Sequence, residues 1–364
     1  MTFAPSSQLF SSSKSFDSSG FDYFSSNYFF TLHGNRTSVF ICIMPAHRAE
    51  SFPWYHSSRQ KPRRWPLALR FIKGSVHANI IAPIVFYTLF TTLVVFVDQH
   101  LNINLGVPST VTPSLSIVVG LLLVFRNSSS YERFWGGRQD VGHIVSNVRN
   151  LSRYFMLCGP NESDEDRQDT EKVVKTLIAM LFAMRSSLRE DWGIPDKEEE
   201  PEYTDLLPRG MQGHENWGVA LPLELAFFVE KYIRKGHKRG NFQAPQASML
   251  TSQLNAIIDG YGHMETIMLT PIPVCYQIHM KQVLSLYCLF LPFSIVDDWN
   301  WVAVPMVALI AFTLYGIEGI GQEIENPFGL DRNDIKMDNI VRDTRQEITT
   351  LLECWKQGKE EHFL

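Results

Sequence analysis

Cysteine is scarce and poorly placed for a framework. The 364-residue chain has five, Cys42, Cys158, Cys275, Cys288 and Cys354, an odd number with no CxxC pair. That excludes a disulfide scaffold and a cysteine-built zinc site. Cations are not in excess either: 33 Lys and Arg face 38 Asp and Glu, for a formal charge of −5. Nucleic acid is therefore excluded as a partner, because phosphate neutralisation needs a surplus of Lys and Arg. HExxH, GxSxG and P-loop motifs are missing, as are internal repeats. "GIEGIGQE" (316–323) has the glycines of a phosphate loop, but it follows an apolar run instead of a strand, so the context that motif requires is absent. His263 and His279 have no partner at metal-ligand spacing and read as structural histidines. An enzymatic reading is left with the carboxylates Glu318, Glu323 and Glu325.

The apolar residues are clustered. A mean hydropathy of −0.08 conceals four apolar runs and a strongly charged stretch from 159 to 245. Crossing a bilayer takes about 20 apolar residues. "NIIAPIVFYTLFTTLVVFV" (79–97) has no charge. "SLSIVVGLLLVF" reaches that length only by borrowing from both flanks, over about 112–131. "QVLSLYCLFLPFSIV" extends backward through "PVCYQIHM" to about 277–296, and "WVAVPMVALIAFTLYGI" (301–317) follows after only "DDWN". Lys61, Arg63, Arg64, Arg70 and Lys73 precede the first run and Arg126, Arg133 and Arg138 follow the second. Lys281 lies at the third run, and Arg332 and Lys336 follow the fourth. Residues 98–112 and 297–300 contain no Lys or Arg. The positive-inside rule then predicts an integral membrane protein with both termini cytosolic. The sequons at Asn35, Asn127, Asn150 and Asn161 fall on that side and are expected to stay unmodified. Buried helices of a soluble protein are the competing explanation.

The remaining chain reads as helical and polar. Residues 1–60, rich in Ser, Phe and Tyr, lack the apolar core of a secretory signal and are expected to be disordered, with Met44 as an alternative start. The stretch between the second and third runs is far too long for a loop. It contains an amphipathic helix over 171–188, with Val174, Leu177, Ile178, Leu181 and Met184 on one face. Further helices are expected over 223–234 and 245–269, and after the fourth run over 338–355 with Asp338 as its cap. Residues 358–364 form a tail. The predicted class is all-α, with one unit over 61–357.

The second run carries the most pointed signal. Ile117, Leu121 and Phe125 recur at i, i+4, i+8 and share one helix stripe. Around an axis built from several copies, such a stripe forms three apolar rings that gate by dewetting. The alternative is ordinary packing against a neighbouring helix. The continuation, "RNSSSYERFWGGRQD", is unsuited to lipid and suits the wall of a water-filled vestibule. Arg126, Asn127 and Arg133 are its candidate lining, and the arginines would concentrate anions there.

"FRNSSSYERFWGGR", "TPIPVCYQIHMKQVLSLYCLFLPF" and "EIENPFGLDRNDI" resemble, in order and spacing, three signature stretches of the bestrophin-like membrane proteins. The resemblance spans roughly 70–355. It implies a homopentameric, usually chloride-conducting channel with four membrane helices per subunit around one central pore. It implies too a neck of three apolar residues ending just before an Arg-Asn pair, which makes Phe125, Leu121 and Ile117 the neck. Animal members hold calcium in an acidic run after an Asn-Pro-Phe-Gly, so the resemblance implies a weak calcium site at Glu323, Asn326, Asp331 and Asp334. Oxygen ligands suit that ion, but Arg332 and Asn333 interrupt the run, and a helix-ending turn capped by aspartates competes with it. The resulting expectation is a passive channel for chloride or other small anions, with itself and the bilayer as partners and no catalytic role. A membrane-embedded enzyme using interfacial carboxylates and a non-conducting scaffold remain the alternatives.

Overall fold

The computed structural model describes residues 76–101, 105–108, 110–160, 163–191, 201–208, 213 and 218–358. The Ser/Phe-rich segment 1–60 and most of the tail lie outside the described residues. Every regular element among them is a helix, as expected.

The first helix, α1 (His77–Leu101), takes up the first apolar run. Its threonines need no water: Thr88, Thr91 and Thr92 return their hydroxyls to the carbonyls four residues back, at 2.7 to 2.8 Å, which hides the polar group inside the helix. The second helix, α2, takes up the second apolar run and its polar continuation together, unbroken from Val111 to Cys158, 48 residues. At 1.5 Å per residue it is about 72 Å long, more than twice the thickness of a bilayer's hydrocarbon core. No proline or cap interrupts it after Phe125, so the change from apolar to charged alters its surroundings and not its backbone.

The polar half is built from α3 (Asp164–Ser187), the short α4 (Pro201–Thr204), α5 (Leu221–Lys238), α6 (Ala244–Leu269) and α9 (Met337–Lys356). Ser163 caps α3, accepting from the Asp166 N–H at 3.2 Å, and three acidic residues in its first turn complement the helix dipole. Only the first half of α3 is amphipathic. From Thr176 to Ser187 every residue is buried, so this helix is the centre of the polar half's core and not a surface element. Asp338 is not the cap of α9. Lys336 holds that position, and the Asp338 carboxylate is engaged instead by Arg189, at 2.7 and 2.8 Å, and Arg185, at 3.3 Å.

The apolar half adds α7 (Val274–Trp299) and α8 (Ala303–Glu323). "DDWN" is not a four-residue loop: Asp297 to Trp299 stay helical, and a 3-10 turn over Asn300–Val302 reverses the chain. At the reversal Asn300 has a positive φ of 49°, and its side-chain Oδ1 accepts from Gln99 Nε2 at 2.7 Å, tying the turn to the end of α1. The helix α1 lies along α8, while α2 packs on α7 and α8 near its start and on α6 and α9 further along. Two main apolar cores result. One joins Tyr87, Val119, Leu123, Leu284, Leu291 and Val307; the other contains Val148, Leu151, Phe155 and nearly all of buried α3. Among the described residues only α2 contributes substantially to both, which makes it the spine of the protomer.

Candidate pore helix and its anchoring junction

The first half of α2 has two unlike faces. Val119, Leu123, Arg126 and Ser130 are at most 3 % exposed, whereas Ile117, Leu121 and Phe125 are 72 %, 54 % and 56 % exposed. The stripe predicted from spacing therefore exists as an outward apolar face. It is not buried against another helix of the same protomer.

Arg126 and Arg133 are placed otherwise than on a vestibule wall. The Arg126 side chain is 1 % exposed and donates from Nη2 to Glu325 Oε2 at 2.6 Å. Arg133 turns back into the protomer, giving its Nε to the Glu325 carbonyl at 3.1 Å, Nη1 to the Thr270 carbonyl at 2.7 Å and Nη2 to the Ile267 carbonyl at 2.6 Å. The physical reason is a set of backbone acceptors that would otherwise be left unmet where α6 ends and where the chain leaves α8. Partial burial lowers the Arg133 pKa, opposed by Glu325 and reinforced by Arg126. Asn127 donates to the Ile317 carbonyl at 3.1 Å, against α8.

Glu325, one of the three carboxylates of the enzymatic alternative, sits at the centre of this anchoring. Besides Arg126, its carboxylate accepts from the Ile272 N–H and from Gln277 Nε2, each at 3.1 Å and each at Oε1. One side chain thereby joins α2, the chain between α6 and α7, and α7 itself. Three residues on, Phe328 is fully buried, with its ring over Gly137 of α2, where a Cβ would stand 2.7 Å from Cζ. The three signature stretches meet at this one junction.

The other candidate carboxylates have partners of their own. Glu318 is buried, with Lys281 Nζ 3.6 Å from its Oε1, and Glu323 accepts from Asn333 Nδ2 at 3.1 Å. His263 and His279 are exposed, and His263 Nδ1 lies 3.7 Å from Asp140 Oδ1. In the turn after α8, Asn326 Oδ1 accepts from the Phe328 N–H at 3.3 Å and Asp334 Oδ2 from the Asp331 N–H at 2.7 Å. Burial, with Asp331 and Glu323 nearby, raises the Asp334 pKa. Among the described residues no group of three or more His, Cys, Asp or Glu is arranged to hold a metal ion.

Two stretches among the described residues, Asn79–Leu101 and Val274–Glu323, are long and apolar enough to cross a membrane, the second comprising both α7 and α8. Comparison with known proteins agrees with this architecture. A voltage-dependent anion channel-forming protein of Synechocystis sp. is 36 % identical over 84 % of this chain and 98 % of its own length. One of the same description from Nostoc sp. is 37 % identical over 77 % of this chain and 89 % of its own. Among solved structures, a bacterial bestrophin homologue from Klebsiella pneumoniae superposes with a TM-score of 0.64 at 21 % identity, over 75 % of this chain and 98 % of that one. Residues 56–350 match the family described as Bacterial/Fungal Bestrophin protein. The protein is an integral membrane protein, and it belongs to the bestrophin family.

Proposed function

We propose that the protein is a passive anion channel, a homopentamer in which each subunit crosses the membrane four times, through α1, the first part of α2, α7 and α8, with both termini cytosolic. The exposed Ile117, Leu121 and Phe125 stripe carries this reading. It lies on a helix whose opposite face is fixed in the core, so copies of α2 arranged about an axis would present three stacked apolar rings to the ion path. The relatives' description as anion channel-forming proteins supports the ion class. Chloride is the expected main ion, and the partial positive charge at aromatic ring edges gives the Phe125 ring a preference for anions.

The test is the reversal potential of the purified full chain in a planar bilayer under a chloride gradient, with and without calcium. A shift to the chloride equilibrium potential supports the proposal; a shift to the cation potential overturns the selectivity, and silence overturns the channel. Asp334 and Asn326 already serve as backbone caps, so the current is expected to be the same with calcium and after its chelation.

A further inference from the structure

We propose that Glu325 is the positioning residue of the pore neck, setting how readily the neck opens by fixing the rotation of α2 through Arg126. This inference rests on the channel reading above. At 100° per residue, Phe125, Leu121 and Ile117 lie about 100°, 140° and 180° around the helix from Arg126. Holding Arg126 against the protein interior therefore turns the apolar stripe outward, and letting it go frees the stripe to rotate away.

The bonding pattern identifies Glu325 as what holds it. Arg126 Nε and Nη1 are buried with no hydrogen-bond partner among the described residues, so the single contact to Glu325 Oε2 secures a guanidinium that is almost wholly out of water. A charge in that setting cannot drift to another partner without a large desolvation penalty. Glu325 is fixed in turn. Its Oε1 is tied to the Ile272 N–H and Gln277 Nε2, and its own carbonyl accepts from Arg133, two turns further along α2. The neck helix is thus clamped at Arg126 and Arg133 to the chain leaving α6, the start of α7 and the end of α8. A displacement of the polar half would reach Phe125 through the residue next to it in sequence.

The test compares single-channel records of wild type, Glu325→Gln and the double variant Arg126→Met with Glu325→Leu, each reconstituted as the full chain. Glu325→Gln keeps the shape and an acceptor oxygen but removes the charge. The double variant leaves no buried unpaired ion and is expected to fold even if the single change does not, since apolar replacement of a buried pair is often tolerated. The expected result is about a tenfold rise in open probability for both, with unitary conductance and reversal potential unchanged, and recovery toward wild type in Glu325→Asp. Open probability equal to wild type in folded Glu325→Gln and in the double variant overturns the proposal. If wild type carries no current, the channel reading fails, and hydrogen exchange decides the positioning claim. Faster exchange in Glu325→Gln confined to peptides covering 117–130 and 267–277 supports it, while unchanged or uniformly faster exchange overturns it.

Discussion

Phe125 and Arg126 are adjacent, yet one faces out and the other is sealed in, and this alternation makes their substitutions separable. Replacing Phe125 with Ala removes a ring edge and widens the lowest apolar ring without touching the clamp. Permeability of larger anions relative to chloride is expected to rise, read from bi-ionic reversal potentials; an unchanged sequence of permeabilities would remove Phe125 from the neck. Gly137 tests the junction from the other side. A Cβ there would meet the buried Phe328 ring at 2.7 Å, and Gly137→Ala is expected to destabilise the fold by about 1–3 kcal/mol, seen as a lower Tm of the purified protein. At this scale the sequence was half legible. Ile117, Leu121 and Phe125 are visible in i, i+4, i+8 spacing because periodicity is local. Arg126 and Arg133 read as solvent-facing because charge type suggests water, and the acceptor that reverses the reading, Glu325, lies 199 positions away from Arg126. The sequence contained both members of the pair but nothing that joined them.

Between elements, charge docks α9 onto α3. Burial alone would raise the Asp338 pKa, but its hydrogen bonds to Arg189 and the charges of Arg189 and Arg185 hold it below the ordinary carboxylate value. Asp169 and Glu171 on α3 behave alike: burial is outweighed by Lys235 and Lys172 for Asp169, and by Lys175 and Lys356 for Glu171. Lys356 belongs to the end of α9, so two of these three groups hold α9 to α3. A carboxylate with a depressed folded pKa stabilises fully above its unfolded value, about 4, and loses that contribution as pH falls through the lower folded value. Asp334, whose pKa is raised, has the opposite sign and is outnumbered. The Tm is therefore expected to fall below pH 4, and Asp338→Asn to flatten that fall while lowering the Tm at neutral pH; a variant with an unaltered pH slope would show that Asp338 does not contribute. Helix existence was legible here and helix ends were not. The spacing in 223–234 and 245–269 marks helices that run over Leu221–Lys238 and Ala244–Leu269, because apolar period identifies the middle of a helix while capping identifies its ends. Asp338 looked like a cap for the same reason that it serves as an ion-pair partner: a short side chain with two acceptor oxygens.

For the whole molecule, exposed apolar surface separates what lipid can cover from what it cannot. Leu89, Leu93 and Phe86 on α1, and Leu309 on α8, lie on helices proposed to face the bilayer. Leu223 and Phe227, 53 % and 68 % exposed, are on α5, whose other face is sunk in the core of the polar half and whose end carries Lys235, His237 and Lys238. No bilayer reaches that helix in the proposed topology, so in the proposed homopentamer these apolar side chains, spaced i, i+4 on a charged helix, are expected to meet a protein neighbour. In a homopentamer the neighbour available to every subunit is the next copy. Phe227→Asp should then weaken each subunit contact by about 1.5–3 kcal/mol, the value of burying one Phe side chain. Five such contacts close the ring, so the loss is repeated around it, and light scattering after size exclusion is expected to show a large shift from five-subunit particles to smaller ones. If Phe227→Asp stays fully pentameric, α5 lies outside the subunit contact; if wild type itself is not a pentamer, the rings drawn from Ile117, Leu121 and Phe125 lose their axis, and the neck must be sought in another arrangement of α2.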